Sequence, residues 1–222
     1  MGRPVYNAGV NRRSFWLLFL SAALSRAQTP PDRRRYWDDL FRKDQIPFNK
    51  EASKLLQYAI AGRKPGLAID LGMGEGRNAV FLAANGWHVT GVDFSEVAVK
   101  KAKARAAAAG TSIETIVEDL DRFALGRERW DLIALFYMHA WFHESPHNVP
   151  RDLADALKPV GVLVIEGYAG DKGDFQTNEL PRSFDGLRVV FYQDVLDEAD
   201  WAPGEKSRVV RFIGEKAERR GP

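Results

Sequence analysis

The order of the hydrophobic runs predicts an α/β protein with an open, doubly wound, mostly parallel sheet of about seven strands. Its helices lie on both faces, and one late strand runs antiparallel. Three observations carry this prediction. Strand-like and helix-like segments alternate from Leu67 onward, the order that a parallel sheet with crossover helices requires. The runs Leu67 to Leu71 and Trp130 to Phe136 are almost wholly apolar, as strands covered on both faces must be. A glycine-rich turn opens directly after the first of them, at the point where such sheets bind their ligands.

The elements follow in order. Thr29-Pro30-Pro31 and the charged run Asp32 to Arg35 read as a linker, because Pro and charge punctuate rather than pack. Tyr36 to Phe41 places Tyr36, Trp37, Leu40 and Phe41 on one side of a short helix. Glu51 to Ala61 repeats Ala52, Leu55, Leu56 and Ala59 at helical spacing. After the strand Leu67 to Leu71, a helix runs from Asn78 to Ala84 and stops at Asn85-Gly86, a common helix end. Trp87 to Val92 is the second strand and stops at Asp93. Ser95 suits the cap of the Ala- and Lys-rich helix Glu96 to Ala109, and Gly110 ends it. Ile113 to Val117 and Trp130 to Phe136 are the third and fourth strands. Val149 to Leu157 is a helix, Lys158-Pro159-Val160-Gly161 a turn, and Val162 to Ile165 the fifth strand. Leu187 to Phe191 and Arg208 to Ile213 close the series, the second alternating in a way that suits an edge or antiparallel strand.

A chain of 222 residues with 45% hydrophobic residues and six Trp supports one sizeable core and excludes a disordered chain. It has no Cys, which excludes disulfides, thiolate zinc sites and a cysteine nucleophile. Residues 1–27 read as an export signal: Arg12-Arg13, an apolar run from Phe15 to Leu24 too short to span a bilayer, and small residues ahead of a cut after Ala27. The division expected is therefore 1–27 signal-like, 28–35 linker, 36–217 the domain and 218–222 a tail. Residues 1–27 hold four Arg and no acids, so the chain's charge of +2 becomes −2 without them. A near-neutral domain gives no electrostatic reason to expect a nucleic-acid partner, and no stable membrane span follows signal removal.

The ends of the strands supply the candidate site. Asp70-Leu-Gly72-Met-Gly74-Glu-Gly76-Arg77-Asn78 follows the first strand, Asp93 the second, Glu118 and Asp119 the third, Tyr137 to Trp141 the fourth, and Glu166 to Tyr168 the fifth. Glycines spaced G-x-G-x-G leave room for a ligand and adopt backbone angles other residues resist. The spacing differs from the G-x-G-x-x-G of dinucleotide sites, which disfavours an NAD-dependent dehydrogenase. An acid ending the second strand is placed to accept hydrogen bonds from ribose hydroxyls.

The glycine spacing with its preceding acid resembles the first motif of class I methyltransferases over most of residues 36–217, an architecture that is Rossmann-like. The run Gly72 to Asn78, followed by Leu82-Ala-Ala-Asn-Gly86, is similar to the tellurite-resistance and thiopurine-type branch. The resemblance implies S-adenosyl-L-methionine as cofactor and a small-molecule methyl acceptor with a soft S, Se or Te nucleophile. It further implies that Asp70, Gly72, Gly74 and Gly76 hold the amino-acid part of the cofactor, with Asn78 continuing the motif. Asp93 would hold the ribose with Phe94 beside the adenine, and Asp119 and Leu120 would meet the adenine edge. Phe136 and Tyr137 would close the methyl-facing side. Met73 departs from the family, which often has Cys there.

On the acceptor side, Arg77 is positioned for an anionic acceptor or for pairing with Glu75 or Glu166. His139 is either the first candidate base or a hydrogen-bonded or solvated loop residue, and Trp141, Phe142 and Tyr168 either line an apolar acceptor site or belong to the core. His143-Glu144-Ser145-Pro146-His147 matches the H-E-x-x-H zinc motif in letters. Pro146 disfavours the continuous helix that zinc chemistry needs, so no metal is expected. The remaining alternative is a non-catalytic cofactor-binding domain, which an export signal would favour; the chemistry itself points to the cytoplasm and the signal to the periplasm.

Overall fold

A computed structural model describes residues 30–43, 49–171, 173–200, 204 and 206–218. The signal-like reading of residues 1–27 and most of the tail lie outside the described residues. Seven helices and seven strands are described: α1 (Pro30–Lys43), α2 (Lys54–Ile60), β1 (Leu67–Leu71), α3 (Arg77–Ala84), β2 (His88–Asp93), α4 (Glu96–Ala108), β3 (Glu114–Val117), β4 (Trp130–Phe136), α5 (His139–Glu144), α6 (Val149–Ala156), β5 (Leu157–Tyr168), α7 (Glu179–Ser183), β6 (Leu187–Glu198) and β7 (Lys206–Lys216).

The strands form one sheet in the order β3-β2-β1-β4-β5-β7-β6. β1 pairs in parallel with both β2 and β4, so the strand order reverses at β1 and opens a crevice between the carboxyl ends of β1 and β4. β7 runs antiparallel between β5 and β6. It is therefore interior, and β6 is the edge.

Alternation along the strands divides the core. Ile69, Leu71, Ile133 and Leu135 face α5, α6 and α7 through Phe142, Leu153 and Phe184. Ala68, Leu132 and Ala134 face the other way, onto α2, α3 and α4 through Leu56, Leu82 and Ala102. β1 and β4 thus bury both faces, which is why they read as unbroken apolar runs.

Four elements differ from the sequence reading. Helix α1 starts at Pro30, inside the expected linker, because Pro fits a helix's first turn, where its missing N–H costs nothing. Lys158 to Gly161 is part of β5, not a turn before it. An irregularity in the β4–β5 pairing absorbs Pro159, with Val160 at φ 59°. β6 and β7 extend to 12 and 11 residues. Polar residues such as Gln193, Asp194 and Asp197 in β6 conceal a strand that pairs on one side only.

Candidate functional site

The glycine turn between β1 and α3 is anchored to β2. Val92 O accepts from Gly72 N at 2.8 Å and from Met73 N at 3.1 Å, and Met73 O accepts from Gly76 N at 2.9 Å. Gly72 and Gly76 have φ of 69° and 76°, a region costly to other residues. Both are also tightly enclosed. A Cβ on Gly72 would lie 2.4 Å from Met138 Sδ, and one on Gly76 would lie 2.8 Å from Ala102 Cβ. Met73 turns inward against Gly91, where an added Cβ would meet its Sδ at 2.1 Å. The side chain packs beneath the turn, leaving the backbone to shape the cradle.

Asp70 and Asp93 flank this turn, 2% and 5% exposed. Asp93 Oδ2 accepts from Gly74 N at 2.9 Å and Oδ1 from Ser95 N at 2.8 Å. Burial pushes its pKa up to about 6 against the pull of these two N–H groups, with Asp38 adding to the push. Asp70 Oδ2 is buried with no hydrogen-bond partner. Burial raises Asp70 to about 7, against the pull of Arg77 and the Ala79 N–H. A buried carboxylate oxygen without a donor is costly. Beside a glycine cradle it suits an ammonium group, which supplies the missing donor.

Helix α1 lies across the glycine turn. Asp38 accepts from Ser95 Oγ, Phe41 O accepts from Lys101 Nζ at 2.6 Å, and the Phe41 ring lies 3.6 Å from where a Gly74 Cβ would be. At its other end, Arg33 reaches Glu144 of α5 at 3.0 Å.

A second buried group sits at the carboxyl ends of β4 and β5. The Tyr137 hydroxyl donates to Glu166 Oε1 at 2.7 Å and accepts from Asp200 N at 3.2 Å. Ser53 Oγ donates to Glu166 Oε2 at 3.3 Å, and Arg211 Nε lies 3.6 Å from Oε1. Tyr137 has φ 58°. A bulky non-glycine residue in this region is strained, and such residues concentrate at functional sites. Glu166 is 1% exposed. Burial raises it to about 7, reinforced by Asp200 and opposed by the Tyr137 hydroxyl, Arg211 and Arg77.

Several expected roles meet competing contacts. Arg77 donates to Asp200 Oδ1 at 2.8 Å and to Glu51 O at 3.1 Å, so it is held by protein groups. Its alternative partner Glu75 pairs with Lys101 and Arg105 instead. Asn78, buried at 4%, accepts from Ser53 N at 2.9 Å and anchors α2 to α3. Trp141 donates to Asp121 Oδ1 at 2.8 Å and packs on the α5–α7 side of the core. Ser145 and His147 converge on the same Asp121.

His139 is mostly buried, with Nε2 3.5 Å from Asp174 Oδ1 and Nδ1 lacking a partner. Burial lowers its pKa to about 4, with His143 contributing. Its ring packs edge-on to Tyr168 and Phe175, and Tyr168 packs on Tyr137 at 5.3 Å. Phe136 is buried in the core, and Phe94 is half-buried beside Asp93. Asp119 caps the turn after β3, accepting from Asp121 N at 3.1 Å, and Leu120 packs on the core beside it. The zinc-like motif is split: α5 ends at Glu144, Ser145 turns away at ψ 139°, and His143 pairs with Glu179 at 2.6 Å.

The residues that sequence reasoning passed over are Glu166 as a functional group, Asp200 and Ser53. Glu166 had one signal: a lone acid within the apolar run Val162 to Tyr168.

Comparison with known proteins agrees with this geometry. Residues 68–161 match the family described as a methyltransferase domain. The chain is 36% identical over 123 residues to the ribosomal RNA small subunit methyltransferase C of Alcanivorax borkumensis, covering 51% of this chain and 36% of that one. It is 29% identical over 112 residues to the ubiquinone biosynthesis O-methyltransferase of Marinobacter nauticus, covering 49% and 45%. Its fold is similar to the crystal structure of TehB from Haemophilus influenzae, with TM-score 0.63 and 19% identity over 72% of this chain and 61% of that one. The chain spans between 36% and 58% of the length of the curated relatives it matches. The fold is similar to those of solved S-adenosylmethionine-dependent methyltransferases, and residues 68–161 are similar to a methyltransferase domain.

Proposed function

We propose that this chain transfers a methyl group from S-adenosyl-L-methionine to a small-molecule acceptor. The observation that carries the reading is Asp70 Oδ2, buried without a donor beside a glycine turn where a Cβ added at Gly72 or Gly76 would clash. Asp70 would take the ammonium of the cofactor, and the Gly72–Gly76 backbone would cradle its amino-acid part. Asp93 keeps a free lone pair on each oxygen for a ribose hydroxyl. When bound, the cofactor supplies a methyl group already activated on a sulfonium. The protein's own task is to align the partners and exclude water.

The domain would run from α1 to the end of β7, because α1 packs on the donor turn. The resemblance of Gly72 to Asn78 to the tellurite-resistance and thiopurine-type branch supports a soft acceptor. The anion contact once expected from Arg77 is taken by Asp200, so that support rests on the motif alone. Calorimetry with S-adenosylmethionine and S-adenosylhomocysteine tests the donor half, and binding of neither refutes it. Labelled methyl transfer over a thiol, selenite and tellurite panel tests the soft acceptor.

A further inference from the structure

Glu166 is an acid where packing asks for none. Its neighbours in β5, Val162 to Ile165, are fully buried apolar residues, and an ionised side chain among them is costly unless held by partners. The groups facing it come from five places: Tyr137 after β4, Ser53 before α2, Arg211 on β7, Arg77 on α3 and Asp200 after β6. Tyr137 lies between this acid and the crevice at the sheet's switch point. Its neighbour Met138 packs against the turn at Gly72, which sets the tyrosine beside the glycine turn.

Arg77 and Arg211 offset Asp200 and Glu166 in this corner, but one carboxylate oxygen there still lacks a donor. Arg77 is paired with Asp200, and Asp200 Oδ2 is buried with no partner. Tyr137 and Tyr168 add aromatic faces. Carboxylates beside aromatic rings favour a cation and repel an anion.

We propose that Tyr137 and Glu166 form a proton outlet from the acceptor, and that the acceptor is a small amine arriving protonated. This rests on the methyltransferase reading above and replaces the soft acceptor that the motif resemblance supports. The acceptor's N–H proton passes to Tyr137 Oη, and the tyrosine's own proton moves to Glu166 Oε1. Tyrosine ends neutral and Glu166 ends protonated. The freed nitrogen lone pair forms the new C–N bond, and the C–S bond breaks with its electron pair staying on sulfur. Tyr137 touches the acceptor, and Glu166 acts through it. The neutral pKa that burial gives Glu166 suits both taking and releasing the proton.

The test uses the full chain with wild-type, Glu166→Gln and Tyr137→Phe side chains. Carbon-13 carboxyl titration of the S-adenosylhomocysteine-bound protein, assigned by the signal missing in Glu166→Gln, should show a Glu166 midpoint near neutral pH. Tyr137→Phe should move that midpoint upward by removing a donor to the carboxylate. Labelled methyl transfer should proceed to at least one of methylamine, ethanolamine and benzylamine, rising with pH through the same midpoint. Glu166→Gln should lower kcat about 10²–10⁴-fold and abolish that rise, with donor affinity within about twofold. A Glu166 midpoint below pH 5, or transfer to thiophenol alone or to no amine, overturns the proposal while leaving donor binding intact. Failure of the wild-type protein to bind S-adenosylhomocysteine overturns both readings.

Discussion

Arg77 and Asp200 are 123 positions apart in the chain and meet at 2.8 Å. Arg77 opens the helix behind the glycine turn, and Asp200 follows the last residues of β6. Both side chains are nearly buried, at 13% and 12% exposure, so the pair joins the glycine turn to the corner around Glu166 in a region that water screens weakly. Truncating either partner leaves the other charge buried. Arg77→Ala should therefore cost about 3 kcal/mol of stability. In a double-mutant cycle with Asp200→Ala, urea denaturation should give a coupling of about 1–2 kcal/mol; additive single effects would refute the pairing.

The buried acids set a pH dependence of unusual sign. Asp70, Asp93 and Glu166 are raised to about 7, 6 and 7 from ordinary values of 3.8, 3.8 and 4.5. Between about pH 4 and 7 the folded protein keeps protons that the unfolded chain has released, so stability falls as pH rises through that window. His139, lowered from 6.5 to about 4, acts the other way and loses stability as pH falls from 6.5 towards 4. Three acids outweigh one histidine. The cofactor-free protein should lose urea resistance from pH 5 to 7.5, and Asp70→Asn should flatten the slope. A midpoint that climbs over this range would contradict the assignment.

The sheet was largely legible in the sequence, and the acceptor corner was not. β1 and β4 are buried on both faces, so their composition alone identifies them. β5 was read too short because Pro159 and Gly161 carry the chemistry of a turn; here they sit in a pairing irregularity that the strand runs through. The donor residues Asp70 to Gly76 share one local stretch, and local spacing is what a sequence displays. Glu166, Tyr137, Ser53 and Asp200 come together only through strand order and a long hairpin, and no spacing announces them. The pairing of Arg77 with Asp200 escaped notice for the same reason: the partner is distant in the chain.

The three turn glycines should differ in tolerance. Gly76→Ala meets Ala102 Cβ at 2.8 Å, part of a helix that cannot yield easily, and adds backbone strain; about 2–4 kcal/mol is expected. Gly72→Ala meets the flexible end of Met138, and Gly74→Ala meets only the Phe41 ring at 3.6 Å. Gly74→Ala should cost about 1–2 kcal/mol, mostly strain. Denaturation should rank the losses Gly76, Gly72, Gly74, and a reversed order would show that the turn can shift.

Helix α1 should respond to the donor. It touches Gly74, Ser95 and Lys101 on one bank and Glu144 on the other. Hydrogen exchange should show slower exchange at Tyr36 to Phe41 on addition of S-adenosylhomocysteine. Phe41→Ala should weaken that protection and lower affinity by about 1–2 kcal/mol through lost apolar contact. Unchanged exchange would separate the helix from the cofactor site.

The contacts of α1 also fix where a working fragment can be cut. A version trimmed to the first strand, or even to Asn49, keeps every strand of the sheet yet strips Ser95 and Lys101 of their helix partners and uncovers the glycine turn. Such a fragment would look whole by its secondary-structure content while lacking one wall of its cleft. The engineering boundary therefore lies ahead of Pro30, upstream of the segment that carries the family's sequence signal.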